Sequence, residues 1–270
     1  MNIKIDKPLY INEKGKRDNN EDCIFPFPNQ ATENDKLFLV CDGVGGLEKG
    51  EVASNLACTS FAEYFANNKI SISNEIEILN AFNYVQQKFD EHIAKEPSTK
   101  GFGTTLTLLH KHENGCTVSH CGDSRVYQIR DNQIIFKTTD HTAVNDLLKQ
   151  GIITLEEAAA QSKTSRITRA IQGNTVQRTK PDIQIITDIQ KDDYFVLCSD
   201  GVHGCLTDSD FTDILSANQP DNEKLETIKI LCEANSNDNF SLYLLRVQEI
   251  ELEKDDTVFD SIFNFAKKLF

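Results

Sequence analysis

The sequence predicts an α/β protein: a central antiparallel β-sandwich with helices on its outer faces. Three observations lead there. Strand-like runs come in groups on both sides of a helix pair, without regular βα alternation. Two of those runs, ending at Cys41 and Ser199, stop abruptly in Asp-Gly, as strands do at the rim of a sheet. The 270 residues, 39% hydrophobic and 26% charged, suit one soluble globular core.

Taken in order, residues 1–42 read as β, with a polar turn at Asn29–Asp35. Glu51–Asn67 has helical spacing, its apolar stripe formed by Val52, Leu56, Phe61, Tyr64 and Phe65. Asn74–Lys95 is a second amphipathic helix, ended by Pro97 and the Gly101/Gly103 loop. Thr104–His110, Cys116–Cys121, Arg125–Arg130 and Gln133–Lys137 read as one antiparallel meander. A helical insertion from about Ala143 to Ile171 has a weak apolar face and reads as an excursion from the core. Strands return at Ile183–Thr187, Tyr194–Ser199 and Ser241–Gln248, with helices at Asp208–Leu215 and Asn222–Ala234. The domain is expected to span residues 1–250, followed by an amphipathic, Phe-rich tail at 251–270 that either docks on the domain or binds a partner.

The net charge of −14 disfavours nucleic acid and anionic membranes as partners. No run approaches the ~18–20 apolar residues of a membrane span, and the N-terminus lacks a signal-peptide core, so a cytoplasmic protein is expected. Most of the eight cysteines sit in apolar runs (Cys23, Cys41, Cys58, Cys198, Cys232) and read as reduced core residues.

Five carboxylates abut strand-like runs: Asp22, Asp42, Asp123, Asp200 and Asp238. Anions gathered at an apolar rim raise one another's pKa values, and a hard cation relieves the repulsion. Oxygen-only ligands point to Mg²⁺ or Mn²⁺. Asp42-Gly43-Val44-Gly45-Gly46 lets backbone approach an ion closely and exposes carbonyls as ligands. Arg17, close before Glu21 and Asp22, has the planar fork that suits phosphate oxygens.

With these residues in view, the chain resembles the protein phosphatase 2C family of metal-dependent serine/threonine phosphatases, in its bacterial form. The matching residues run in family order: Arg17…Asn20-Glu21-Asp22, Asp42-Gly43-Val44-Gly45-Gly46, Gly103-Thr104-Thr105, Gly122-Asp123-Ser124-Arg125, Asp140-His141, Ser199-Asp200-Gly201 and Asp238-Asn239-Phe240-Ser241. Together they cover about residues 9–248, and Ile167–Ile171 looks like the segment that closes the family's flap, here about Thr142–Ser165.

The resemblance implies that Asp42 bridges two ions, with the Gly43 carbonyl as a further ligand. Asp200 and Asp238 would complete one shell, Glu21 and Asp22 would hold the other ion or its waters, and Asp123 a third, looser ion. Arg17 would grip the phosphate, and a hydroxide between the ions would attack phosphorus in line. Phosphorylated proteins are the implied substrates, with a serine/threonine kinase as functional counterpart. Where some members carry His after Asp-Gly, this chain has Val44, so the acid that protonates the leaving oxygen is open.

Three other readings compete. His120-Cys121 and Arg125 are spaced too closely for a cysteine-phosphatase loop, and Cys121 reads as a strand residue. His110, His112, Cys116, His120 and Cys121 fit no familiar structural-zinc spacing and read as a solvated hairpin. A catalytically silent binding module is the rival function, against which stand the retained Asp42, Asp200 and Asp238.

Overall fold

Side-chain alternation along the central strands decides the layers. In residues 37–41, Phe38 and Val40 join one apolar cluster while Leu39 and Cys41 join another. Residues 194–198 repeat the pattern, with Phe195 and Leu197 in the shared cluster and Val196 and Cys198 in a third. Each sheet is thus apolar on both faces, one meeting the other sheet and one meeting helices.

The computed structural model describes residues 1–44, 49–161 and 166–251. The strands are β1 (Asn2–Ile5), β2 (Leu9–Glu13), β3 (Asp22–Phe25), β4 (Leu37–Val44), β5 (Gly103–Thr104), β6 (Leu106–His112), β7 (Gly115–Cys121), β8 (Arg125–Arg130), β9 (Gln133–Lys137), β10 (Ile171–Gln172), β11 (Asp182–Ile186), β12 (Tyr194–Cys198) and β13 (Phe240–Glu251). The helices are α1 (Lys49–Asn67), α2 (Glu75–Lys95), α3 (Ala143–Lys149), α4 (Leu155–Gln161), α5 (Asp200–His203), α6 (Asp208–Ser216) and α7 (Asp221–Asn235). One sheet runs β1-β13-β12-β8-β9, with β2 also paired to β13; the other runs β10-β5-β4-β6-β7-β11, with β3 on β4. The strand pairings are antiparallel, so the predicted helix-flanked sandwich is the observed architecture.

Helices α1 and α2 cover the second sheet through Ala57, Phe61, Phe82 and Phe89, and α5–α7 cover the first through Val202, Phe211 and Ile228. Truncating a fully buried ring such as Phe61 to Ala would cost about 3–5 kcal/mol. Asn74 is the N-cap of α2 rather than its first residue, its side chain accepting from the Glu77 amide at 3.0 Å.

Two expectations need correction. The four-strand meander does not exist: β6 and β7 pair in one sheet, β8 and β9 in the other. The chain changes layers between β7 and β8, where Gly122 at φ +103° makes a turn that a side chain would obstruct. Among the described residues the excursion is helical only in α3 and α4. Gly151 at φ +70° follows the first, and Ile171 belongs to a strand. Helix α5 went unpredicted because four residues are too short to carry an apolar period. The tail beyond Glu251 and the end of the flap at 162–165 lie outside the described residues.

Candidate metal centre

The predicted acidic residues meet at one end of the sandwich, each delivered by a different strand end. Asp42 lies near the end of β4, and Asp22, first residue of β3, is its register partner. Asp200 opens α5 directly after β12, Asp238 stands just before β13, and Asp123 sits in the turn where the chain changes sheets. Glu21 and Arg17 come from the β2–β3 connection.

A hydrogen-bond frame fixes these positions. Thr104 Oγ1 and the Thr105 amide both donate to the Asp42 carbonyl at 2.8 Å, and the Asp42 amide donates to Thr105 Oγ1 at 3.0 Å. Ser199 Oγ donates to Asp22 Oδ2 at 2.7 Å while accepting from the Ser241 amide at 3.0 Å, which ties β3 to the β12–β13 pair. Asn239 accepts from the Glu21 amide at 2.9 Å and donates to the carbonyls of Lys14 and Asn19, both at 2.8 Å. The turn bearing Asp123 is pinned twice. His203 Nε2 lies 2.9 Å from the Asp123 carbonyl, and the His141 amide donates to the Gly122 carbonyl at 2.9 Å.

Burial and mutual repulsion set the electrostatics of these carboxyls. Burial, then Asp200, Asp22 and Asp123, push the Asp42 carboxyl well above the usual range. Burial outweighs the Ser199 hydrogen bond and raises Asp22 to about 7, and burial followed by repulsion from Asp200 raises Asp123 to about 7. Asp200 is raised by burial and by Asp238. Arg17 reaches the rim: its Nη2 donates to Asp238 Oδ2 at 2.7 Å, and its Nε donates to the Asn237 carbonyl at 3.2 Å. Oxygen donors, mutual repulsion and a hydrogen-bonded backbone suit hard divalent ions.

Sequence reasoning missed Gly50, in the first turn of α1. A Cβ there would lie 2.5 Å from Glu21 Oε2 and 2.8 Å from the Gly43 carbonyl oxygen, so the bare backbone leaves room for both groups. Its signal was its place just after the glycine-rich run, of which Gly45 and Gly46 lie outside the described residues.

The histidines behave differently from expectation. The β6–β7 hairpin is buried rather than solvated, because β11 and β4 flank it and α2 lies across its sheet. His110 Nδ1 lies 2.9 Å from Ser73 Oγ and His112 Nε2 lies 2.9 Å from Thr117 Oγ1, while Cys116 and Cys121 turn to opposite cores. Among the described residues, the trio whose ligand atoms all fall within 4.8 Å is instead His120, His141 and Asp182. It is a poor cation cage. The two rings stack at 4.5 Å and 15°, so no ion can lie in both ring planes. Arg169 Nη1 already stands 2.7 Å from Asp182 and 3.2 Å from His141 Nε2.

A family model described as protein phosphatase 2C matches residues 15–228. The protein phosphatase PhpP of Streptococcus pneumoniae is 31% identical over 241 residues, covering 88% of this chain and 96% of PhpP. The serine/threonine phosphatase PstP/Ppp of Mycobacterium tuberculosis shares the fold at a TM-score of 0.78 and 27% identity, over 91% of this chain and 100% of that one. The catalytic domain of PstP in complex with 2 manganese ions matches at a TM-score of 0.73 and 27% identity, over 91% and 99% of the two chains. With the motif residues gathered at one rim of the same sandwich, the chain belongs to the protein phosphatase 2C family.

Proposed function

We propose that this chain hydrolyses phosphoserine and phosphothreonine on proteins, at a centre built for two core Mn²⁺ or Mg²⁺ ions and a looser third. The class is that of a protein serine/threonine phosphatase. The observation that carries the reading is the convergence of Asp22, Asp42, Asp123 and Asp200 at one rim, where burial and mutual repulsion raise their pKa values. Asp42 would bridge the core ions beside the Gly43 carbonyl. Asp200 and Asp238 would complete one shell, Glu21 and Asp22 the other, and Asp123 would serve the third ion with Asp200. When bound, the ions would supply a nucleophile at neutral pH by lowering the pKa of a coordinated water.

The chain's own groups do the rest. Thr104 and Thr105 hold the Asp42 backbone and so fix the point from which its side chain projects. Arg17, anchored on the Asn237 carbonyl and Asp238, presents a guanidinium at the rim for the phosphoryl oxygens. Val44 brings no imidazole to the end of β4, so the leaving oxygen takes its proton from another group. Phosphoproteins are the substrates in this reading, and a serine/threonine kinase supplies them. Among the described residues no helix is long and apolar enough to cross a membrane.

The test is hydrolysis of a chromogenic phosphate ester and of a phosphothreonine peptide, with chelator and after addition of Mn²⁺. Metal-dependent phosphate release supports the enzyme. No release at any pH or Mn²⁺ level would leave the silent binding module standing.

A further inference from the structure

Cys205 and Cys232 differ from the other cysteines. Their Sγ atoms lie 3.3 Å apart and share a hydrogen bond. Cys205 is half-buried, while the other seven cysteines are buried. Together with Arg17, Asp200 and Asp238 it lines an open cavity of about 280 Å³ at the acidic rim. By contrast Cys58, whose Sγ donates to the Cys23 carbonyl at 3.5 Å, lies with Cys41 in the core under α1, without access to solvent.

The pair also joins the two segments that deliver neighbouring carboxylates. Cys205 follows Asp200 by five residues, and its Sγ donates to the carbonyls of Gly201 at 3.3 Å and Val202 at 3.1 Å. Cys232 precedes Asp238 by six residues. Its carbonyl accepts from the Ser236 amide at 2.8 Å, and Ser236 Oγ in turn accepts from the Asp238 amide at 3.2 Å. A disulfide needs its sulfurs about 2.05 Å apart. Closing the gap would pull Cys205 off the Gly201 and Val202 carbonyls and draw the Asp200 segment toward α7.

We propose that Cys205 and Cys232 are an oxidative modification site, closed to a disulfide by hydrogen peroxide, and that the closed form distorts the metal centre. The Cys205 thiol loses its proton and its sulfur attacks one peroxide oxygen. The O–O bond breaks, and the departing hydroxide takes up that proton as water, leaving a sulfenic acid. The Cys232 sulfur then attacks the Cys205 sulfur; the S–O bond breaks and the hydroxide leaves with the Cys232 proton as a second water. Two electrons pass from the two sulfurs to the peroxide, which is reduced to water. The order of attack agrees with exposure: Cys205 is half-buried beside the cavity and Cys232 is buried, so peroxide meets Cys205 first. The modification itself needs no phosphatase activity; only its effect on hydrolysis rests on the function proposed above.

The full chain, reduced and metal-free, is exposed to hydrogen peroxide, alkylated under denaturing conditions, digested and mapped by mass spectrometry. The expected product is a linked peptide pair containing Cys205 and Cys232, lost on treatment with dithiothreitol, with Cys23, Cys41 and Cys58 alkylated. After Mn²⁺ is restored, ester hydrolysis should be down about tenfold, as for a small displacement of a catalytic group, and recover with dithiothreitol. In Cys232→Ser, oxidation should run on to a sulfinic acid at Cys205 that dithiothreitol does not reverse. Cys205→Ser should keep its basal hydrolysis and ignore peroxide. Recovery of Cys205 and Cys232 without a linked peptide overturns the site, and a linked peptide with unchanged hydrolysis overturns its coupling to the metal centre. Because the link is read by mass, a chain that never hydrolyses esters refutes the proposed function and leaves this result legible.

Discussion

Asp22, Asp42, Asp123 and Asp200 at the rim, and His120, His141, Asp182 and Arg169 at the base of the excursion, are two clusters of titratable side chains with opposite charge balance. At Asp182, burial pushes the carboxyl up, but hydrogen bonds from Arg169 and His141 outweigh it and leave the group below the usual range. At Asp22 and Asp123 burial wins, and both rise to about 7. The difference is where the positive charge comes from. A guanidinium 2.7 Å away completes the excursion's cluster from within the chain. At the rim, Arg17 is bound to Asp238 and Arg125 to Asp140, so each guanidinium is held by a carboxylate at the edge of the group. Clustered donor atoms alone therefore do not mark a metal site; charge left uncompensated by the protein does.

The strongest way to break the comparison is Asp42→Asn. It keeps the side chain's shape and the Thr104–Thr105 clasp on the backbone but removes the anion at the centre of the rim. Turnover of a phosphate ester is expected to fall at least about 10³-fold, with a weakened Mn²⁺ requirement curve. Wild-type kcat in this variant would refute the bridging role.

The second test concerns stability. Carboxyls raised to about 7 in the fold hold protons that an unfolded chain, with pKa values near 3.9, has already released. Between these values the native state binds more protons, so the metal-free protein should lose stability as pH climbs from about 4 to 7. Mn²⁺ replaces those protons. At a free concentration about a hundredfold above Kd it should add about 2.7 kcal/mol and flatten the pH slope. Melting curves at several pH values, with chelator and with Mn²⁺, check this. A Tm indifferent to both would remove the argument for a cation site.

Much of this rim was legible because strand ends leave a local signature. Asp42 and Asp200 each close an apolar run, and Asp22 and Asp238 each precede one, so chain order alone located them. What stayed hidden depends on contacts between distant segments. The turn at Gly122 looks like any hairpin turn, yet it sends β8 into the other sheet. Gly50 matters only because Glu21 folds over it. The hairpin histidines looked solvated because burial by β11, more than sixty residues further on, has no local trace. The pairing of Cys205 with Cys232 likewise exists only once α7 packs beneath the rim.

Arg17→Ala gives a smaller effect. It removes the guanidinium that binds Asp238 and, in the proposed reading, the phosphoryl oxygens. KM for a phosphopeptide should rise about tenfold with kcat less affected, and steady-state kinetics at saturating Mn²⁺ would separate the two. An unchanged KM would show that the guanidinium serves the Asp238 loop alone.

The smallest effect is expected where the chain has balanced its own charges. Asp182 is half-exposed, so its ion pair with Arg169 is screened and should contribute less than about 1 kcal/mol. Asp182→Asn should lower Tm by no more than a few degrees and leave kcat within about twofold. The informative departure would be a large loss of hydrolysis with little loss of Tm. His141 Nε2 donates to Asp182 Oδ2 at 3.3 Å, and its Nδ1 accepts from the Gly122 amide at 3.2 Å. A catalytic defect without a stability defect would mean that Asp182 sets the orientation of that ring, and through Gly122 the placement of Asp123. The two clusters would then be one device, with the self-neutralised half aiming a ligand of the half that needs ions.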